Sequence, residues 1–165
     1  MLTLIVRFRD GFCAGLVLAI VIGFFLIWLW QPDRQVNRHV ENLLRKIEAK
    51  DWTGASSFIS SEYLDQWGDD RSLVIARMRE VFRYLPNAQI NAIDPTVKID
   101  QDKATWRARI TIEGEGGEVI AFVKERVNSL TTRFELEWRH VSGKPWDWKL
   151  VRVSNSELEI PAGFE

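Results

Sequence analysis

"ATWRARITIE", residues 104–113, sets apolar Trp106, Ala108, Ile110 and Ile112 against polar Thr105, Arg107, Arg109 and Thr111. A strict period of two over this length is the mark of a strand with one buried and one wet face. "TRFELEWRHV" (132–141) repeats it, with Phe134, Leu136, Trp138 and His140 opposed to Arg133, Glu135, Glu137 and Arg139. "WDWKLVRVS" (146–154) reads as a third strand, and "INAIDPTVKI" (90–99) as one bent at Asp94-Pro95. "EVIAFVKERV" (118–127) is compatible with either period, and strand is the expectation taken here. "EGEGGE" (113–118) between two strand-like segments then reads as a hairpin turn. It lacks the Gly-Lys-Ser/Thr of a phosphate loop. If the first two strands pair, Arg107 and Arg109 are expected to face Glu135 and Glu137.

Upstream the period is helical. In "QPDRQVNRHVENLLRKIEAKDW" (31–52), Pro32 and Asp33 suit a helix start, and Val36, Val40, Leu43, Leu44 and Ile47 form one stripe. A short second helix is expected near Thr53 to Ile59, with Gly54 loosening the join. "DDRSLVIARMREVFRYLP" (69–86) predicts a third, capped by Asp69 or Asp70, ended at Pro86, and striped by Val74, Met78, Val81 and Leu85. Three helices followed by antiparallel strands define an α+β domain with helices on one sheet face.

Ahead of this domain, residues 11–30 carry no charge. At about 1.5 Å per residue a helix over this run spans about 30 Å, the thickness of a hydrocarbon core. The run ends "IWLWQPDR", with bulky residues where a signal peptidase needs small ones, so an uncleaved anchor is expected. The organisation is a basic head (1–10), a transmembrane anchor (11–30) and one domain (31–165). Trp28 and Trp30 suit the interfacial belt. Charge counting (Arg7 and Arg9 before the span; Arg34, Arg38, Arg45, Lys46 and Lys50 after it) favours a cytoplasmic domain. The short basic head favours a signal-anchor in the inner membrane with the domain outside, and that orientation is adopted. Gly11, Gly15, Ala19 and Gly23 recur every four residues and place a small-residue seam along one helix face, suited to close approach of a second helix.

Lys+Arg 22 against Asp+Glu 23 gives no strong positive field, which excludes a typical nucleic-acid binder. Cys13 is the one cysteine, so no intrachain disulfide forms.

Two passages carry a family resemblance. "VENLLRKIEAKDWTGASSFISSEY" (40–63) is similar to the opening helix, acidic break and second helix of the nuclear transport factor two-like superfamily, the cone fold shared with ketosteroid isomerase. "KPWDWKLVRVS" (144–154) is similar to its last strand. The resemblance spans about 33–156. It implies a cystatin-like cone: a curved antiparallel sheet with helices on its concave side and, in many members, a pocket between them. Members include enzymes, ligand binders and protein-pairing domains without a shared catalytic motif, so no catalytic residue is carried over.

Among candidate site residues, His140 shares the inward face with Trp138 and Leu136, where an imidazole can act as base or ligand donor, although it also lies near the strand end. Trp106, Trp138 and Trp148 are placed on the same inner face, as pocket lining or as core. His39 is expected among exposed residues. No second histidine or cysteine joins either histidine at metal spacing, so no metal and no cofactor is expected. Asp69-Asp70 is explained by capping, Glu113, Glu115 and Glu118 by a solvated turn, and Asp94 by the Asp-Pro bend. The expected function is a non-enzymatic, membrane-anchored interaction domain that docks, as a homodimer or in a membrane-protein complex, through the helix seam and the sheet face. The rival is a pocket that binds, or enzymatically transforms, a small apolar molecule arriving from the bilayer, formed by Trp106, Trp138, His140 and Trp148.

Overall fold

A computed structural model describes residues 15–25, 31–144 and 146–159. Its first element is an exposed helical stretch, α1 (15–25). The domain follows as α2 (Pro32–Glu48), α3 (Trp52–Phe58), α4 (Arg71–Arg83), β1 (Gln89–Asp100), β2 (Lys103–Glu113), α5 (Glu118–Asn128), β3 (Phe134–His140) and β4 (Trp148–Ser154). The strands form one antiparallel sheet in the order β1-β2-β3-β4. Among the described residues no helix is long and apolar enough to cross a membrane. The span expected over 11–30 runs past both ends of α1, so Gly11, Trp28 and Trp30 lie outside the described residues, while Gly15, Ala19 and Gly23 lie on α1.

The helices form for local reasons. Pro32 occupies the first turn of α2, where its missing N–H costs nothing. Asp33 at the start and Arg45 and Lys46 at the end match the helix dipole. Val36, Val40, Leu43 and Ile47 are the buried stripe. Asp51 caps α3 by accepting from Gly54 N at 2.9 Å. Gly54 is not a loosening element: a Cβ there would collide with the Asp51 carboxylate, so the bare Cα lets the cap close. Asp70 caps α4, accepting from Leu73 N at 2.9 Å and from Ser72 Oγ at 2.6 Å. Ile75 and Phe82 are the buried residues of α4, with Val74, Met78 and Val81 packed half-buried beside them.

β1 pairs with β2 through a register shift between Ile93 and Thr96, where Asp94 adopts φ 50°. This is the expected bend at Asp94-Pro95, and it lies on an edge strand, where the missing proline N–H breaks no inner ladder. On the inner face Trp106 stands opposite Leu136, and Trp138 lies between Ala104 and Leu150. Trp106, Trp138 and Trp148 are all buried. The small Ala104 and Ala108 on β2 leave room for these indoles, which dominate the centre of the core. On the outer face Arg107 pairs with Glu135 at 2.8 Å. Arg109 does not reach Glu137: the β2–β3 pairing ends at Ala108–Phe134, and Glu137 stands between Thr105 and Arg152.

The stretch 118–127 departs from its expected strand. It is helix α5, with Ile120 buried against the core. Among its described side chains Ile120 is buried and Val123, Lys124 and Val127 half-buried, a spacing that suits a period near 3.6 and not the two-sided burial of an inner strand. "EGEGGE" is accordingly a strand-to-helix join and no hairpin. Gly114 holds φ 140° there, and a Cβ would press on Leu85 and on the carbonyls of Pro86 and Asn87. Asn128, the last residue of α5, bonds the backbone of Ile112 in both directions, at 2.8 and 3.0 Å. It thereby substitutes for β3 where β2 runs on paired with β1 alone.

The far edge of the sheet is also covered. Ser60 N, Leu64 N and Gln66 N donate to Leu150 O, Val151 O and Val153 O at 2.9, 3.1 and 3.1 Å. The segment after α3 thus runs along β4 and satisfies its free carbonyls.

Candidate functional site

The helices and the concave sheet face enclose a cavity of about 370 Å³, open on one side. Its wall is almost wholly apolar. Leu43 and Ile47 from α2, Met78 and Val81 from α4, and Ile110 and Ile112 from β2 set its shape. The volume falls in the range of small-molecule pockets, about 300–1,000 Å³.

Trp106 lines this cavity, but Trp138, His140 and Trp148 do not. The reason lies in the sheet. Trp138 and Trp148 are consumed by core packing, with 0 % and 3 % of their surface exposed. His140 sits at the end of β3, its ring 4.9 Å from that of Trp148 and its Nε2 2.6 Å from Lys144 O. It fixes the β3–β4 loop. His39 is the histidine in contact with Trp138: the rings meet edge to face at 6.0 Å, with Phe58 at 5.7 Å. Its Nδ1 lies 2.8 Å from Gln35 O, so it is packed and bonded, unlike the exposed setting expected for it. Trp138 Nε1 is the one buried side-chain polar atom without a hydrogen-bond partner among the described residues. Asp94 is exposed and belongs to the bend.

A polar cluster missed by sequence reasoning stands among the lining residues with almost no polar surface turned to the cavity: Tyr63, Asp65, Asp69 and Arg77. Asp65 Oδ1 accepts from Trp67 N and Asp69 N, both at 2.9 Å, and the Tyr63 hydroxyl lies 3.5 Å from Asp65 Oδ2. Burial, then the nearby Asp65 charge, push the Tyr63 hydroxyl far above its ordinary range, so it remains a donor. Asp70 alone does the capping expected of the Asp69-Asp70 pair. Asp69 is instead buried, 3.2 Å from Arg77 Nη1. Burial and then Asp65 raise its pKa, and Arg77 only partly offsets them. The one sequence signal for this cluster was "YLDQWGDD" (63–70), whose acids all resemble turn residues until the chain folds. Among the described residues no group of three or more His, Cys, Asp or Glu could hold a metal.

A second space of about 340 Å³ lies between α2 and β1, with Asn37, Glu41 and Arg45 among its lining residues. It has Leu44, Ile90 and Trp106 in common with the apolar cavity. Asn37 Oδ1 accepts from Trp106 Nε1 at 3.1 Å and holds the indole in place between the two spaces.

No family model and no curated sequence matches the chain significantly. Solved structures do match. Bd1075 of Bdellovibrio bacteriovorus aligns with 73 % of this chain and 38 % of its own, at 11 % identity and a TM-score of 0.56. An NTF2-like protein of Cytophaga hutchinsonii aligns with 72 % of this chain and 91 % of its own, at 16 % identity and a TM-score of 0.51. A Streptomyces avermitilis protein, provisionally assigned as a dehydratase of the NTF2-like family, aligns with 73 % and 91 %, at 16 % identity and a TM-score of 0.52. At these identities the likeness establishes the fold: an α+β cone of the NTF2-like, cystatin-like type.

Proposed function

We propose that this protein is a binding domain for a small apolar ligand, held at a membrane surface by the uncharged run 11–30. The cavity of about 370 Å³ with an almost wholly apolar wall carries this reading. The neighbouring polar cluster supports binding over catalysis, because Asp65 is spent on backbone N–H groups and Asp69 on Arg77. The test is native mass spectrometry of the full chain released from detergent micelles. A retained apolar species of defined mass is expected, and Met78→Trp, which fills the cavity from α4, should abolish it. A retained mass indifferent to that substitution refutes the reading.

An assembly role is supported separately, by α1. Cβ atoms built at Gly15 and Gly23 meet nothing within 4 Å, so this face is open to a second helix. The sheet face offers less for docking: its Arg107, Glu135, Glu137 and Arg152 are charged, unlike the core of a stable interface.

A further inference from the structure

We infer that the ligand is a single-chain amphiphile with an uncharged, hydroxylated head, whose chain fills the apolar cavity and whose head lies in the groove between α2 and β1. The inference rests on the cavity reading and specifies its ligand. The two spaces adjoin: Leu44, Ile90 and Trp106 border both. Leu44 and Ile90 are half-buried aliphatic side chains, whereas Trp106 is held by Asn37. These side chains form the boundary between the two spaces, and a chain occupying both has to cross it at Leu44 and Ile90.

The polar groups left over in the groove define the head. Glu48 is engaged, its Oε1 accepting from Ile90 N at 2.7 Å. Asn37 Oδ1 is engaged by Trp106, and Asn91 Nδ2 by Glu113 Oε1 at 3.3 Å. Among the described residues Glu41 and Arg45 carry no side-chain bond or ion pair, although one turn of α2 separates them. What remains is the Arg45 guanidinium and the Asn37 Nδ2 to donate, and the Glu41 carboxylate, the second Glu48 oxygen and Asn91 Oδ1 to accept. A head that both gives and receives hydrogen bonds, such as a glycerol, suits both sets. A carboxylate or phosphate head meets two carboxylates, Glu41 and Glu48, for one guanidinium.

Three photoreactive probes test this on the full chain in phospholipid nanodiscs, with diazirine at the chain end: a monoacylglycerol, the matching fatty acid and the matching headless alkane. Adducts are mapped by peptide mass spectrometry. The monoacylglycerol should label cavity residues at least about tenfold more than the fatty acid, the discrimination one lost charge-assisted contact produces. Glu41→Ala with Arg45→Ala should remove that preference and leave alkane labelling unchanged. Equal labelling by acid and glycerol ester, or a preference that survives the double substitution, overturns the proposal while alkane labelling leaves the cavity reading standing. Absence of cavity labelling by all three probes overturns both.

Discussion

Asn155→Ala tests how the segment after β4 is held against the cone. Asn155 is buried, at 2 % exposure, just after β4. Its Oδ1 accepts from Glu157 N and Leu158 N at 2.9 Å and from Thr132 Oγ1 at 3.0 Å. Its backbone exchanges two bonds with the Gln66 amide, at 2.7 and 2.9 Å. Trp67 Nε1 then donates to Leu158 O at 3.0 Å, and Trp67 and Leu158 both line the cavity. Truncation to alanine strands three donors. At a net worth of about 1 kcal/mol each, less some rehydration of the exposed Glu157 amide, the expected loss is about 2–3 kcal/mol. For a domain of this size that lowers Tm by roughly 4–12 °C. Asn155→Asp keeps the acceptor but buries a charge and sets its second oxygen 3.5 Å from Thr132 O, so it should approach wild type only when protonated, its O–H then replacing the Nδ2 donor. Urea unfolding followed by tryptophan fluorescence measures both variants. An alanine variant within about 0.5 kcal/mol of wild type refutes the hub assignment.

Four further outcomes are expected. Asp69 has a raised folded pKa, so its contribution is fully present below the ordinary carboxylate range and is lost as pH rises through the folded value; Asp69→Asn should flatten that slope, and urea midpoints between pH 4 and 7 that fall in parallel for both proteins would contradict it. Trp138→Ala should cost about 3–5 kcal/mol in the same unfolding assay, as expected for a buried aromatic at 0 % exposure. Gly15→Leu with Gly23→Leu should break any α1-mediated assembly on size-exclusion in detergent while leaving the domain's near-ultraviolet circular dichroism unchanged; an unaltered oligomeric state removes the assembly role. Asn37→Ala should strand Trp106 Nε1 and cost about 1–3 kcal/mol, a loss read by thermal unfolding.

The alternation in β2 and β3 and the stripe of α2 were legible because each has one buried and one wet side, and sequence period reports that directly. The bend at Asp94-Pro95 was legible because proline has one stereochemical meaning in a strand. α5 was not: its apolar residues fit both periods, and Ile120 turning to the core and Asn128 bonding Ile112 are contacts set by tertiary placement. The polar cluster was hidden for a similar reason. Asp65, Asp69 and Asp70 are indistinguishable as letters, yet folding buries the first two and leaves Asp70 exposed at a helix end. The inward tryptophans were legible as a set, but which one borders empty space depends on where β3 ends. Past Ala108–Phe134 nothing from β3 pairs with β2, and Ile110 and Ile112 there face the cavity.

That same geometry explains why the cavity persists instead of collapsing. Its rims are locked by polar contacts that apolar contraction would have to break: Asn128 on Ile112 at one end, and Gln66 with Asn155 at the other. At about 24 cal/mol per Å³, an enclosed empty space of about 370 Å³ would cost about 9 kcal/mol. That is comparable with the whole stability of an ordinary domain, about 5–15 kcal/mol. The opening to solvent makes this an upper bound, yet water entering finds almost no polar partner on the wall. An apolar occupant recovers dispersion contacts that neither vacuum nor water supplies. On the proposed reading, filling by an apolar ligand is therefore favourable. A ligand present at 100 times its Kd should stabilise the chain by about 2.7 kcal/mol, a shift easily seen in thermal unfolding. A full-length protein stripped of lipid and detergent that unfolds at the same temperature with and without a saturating apolar ligand would show that the space is not a binding site.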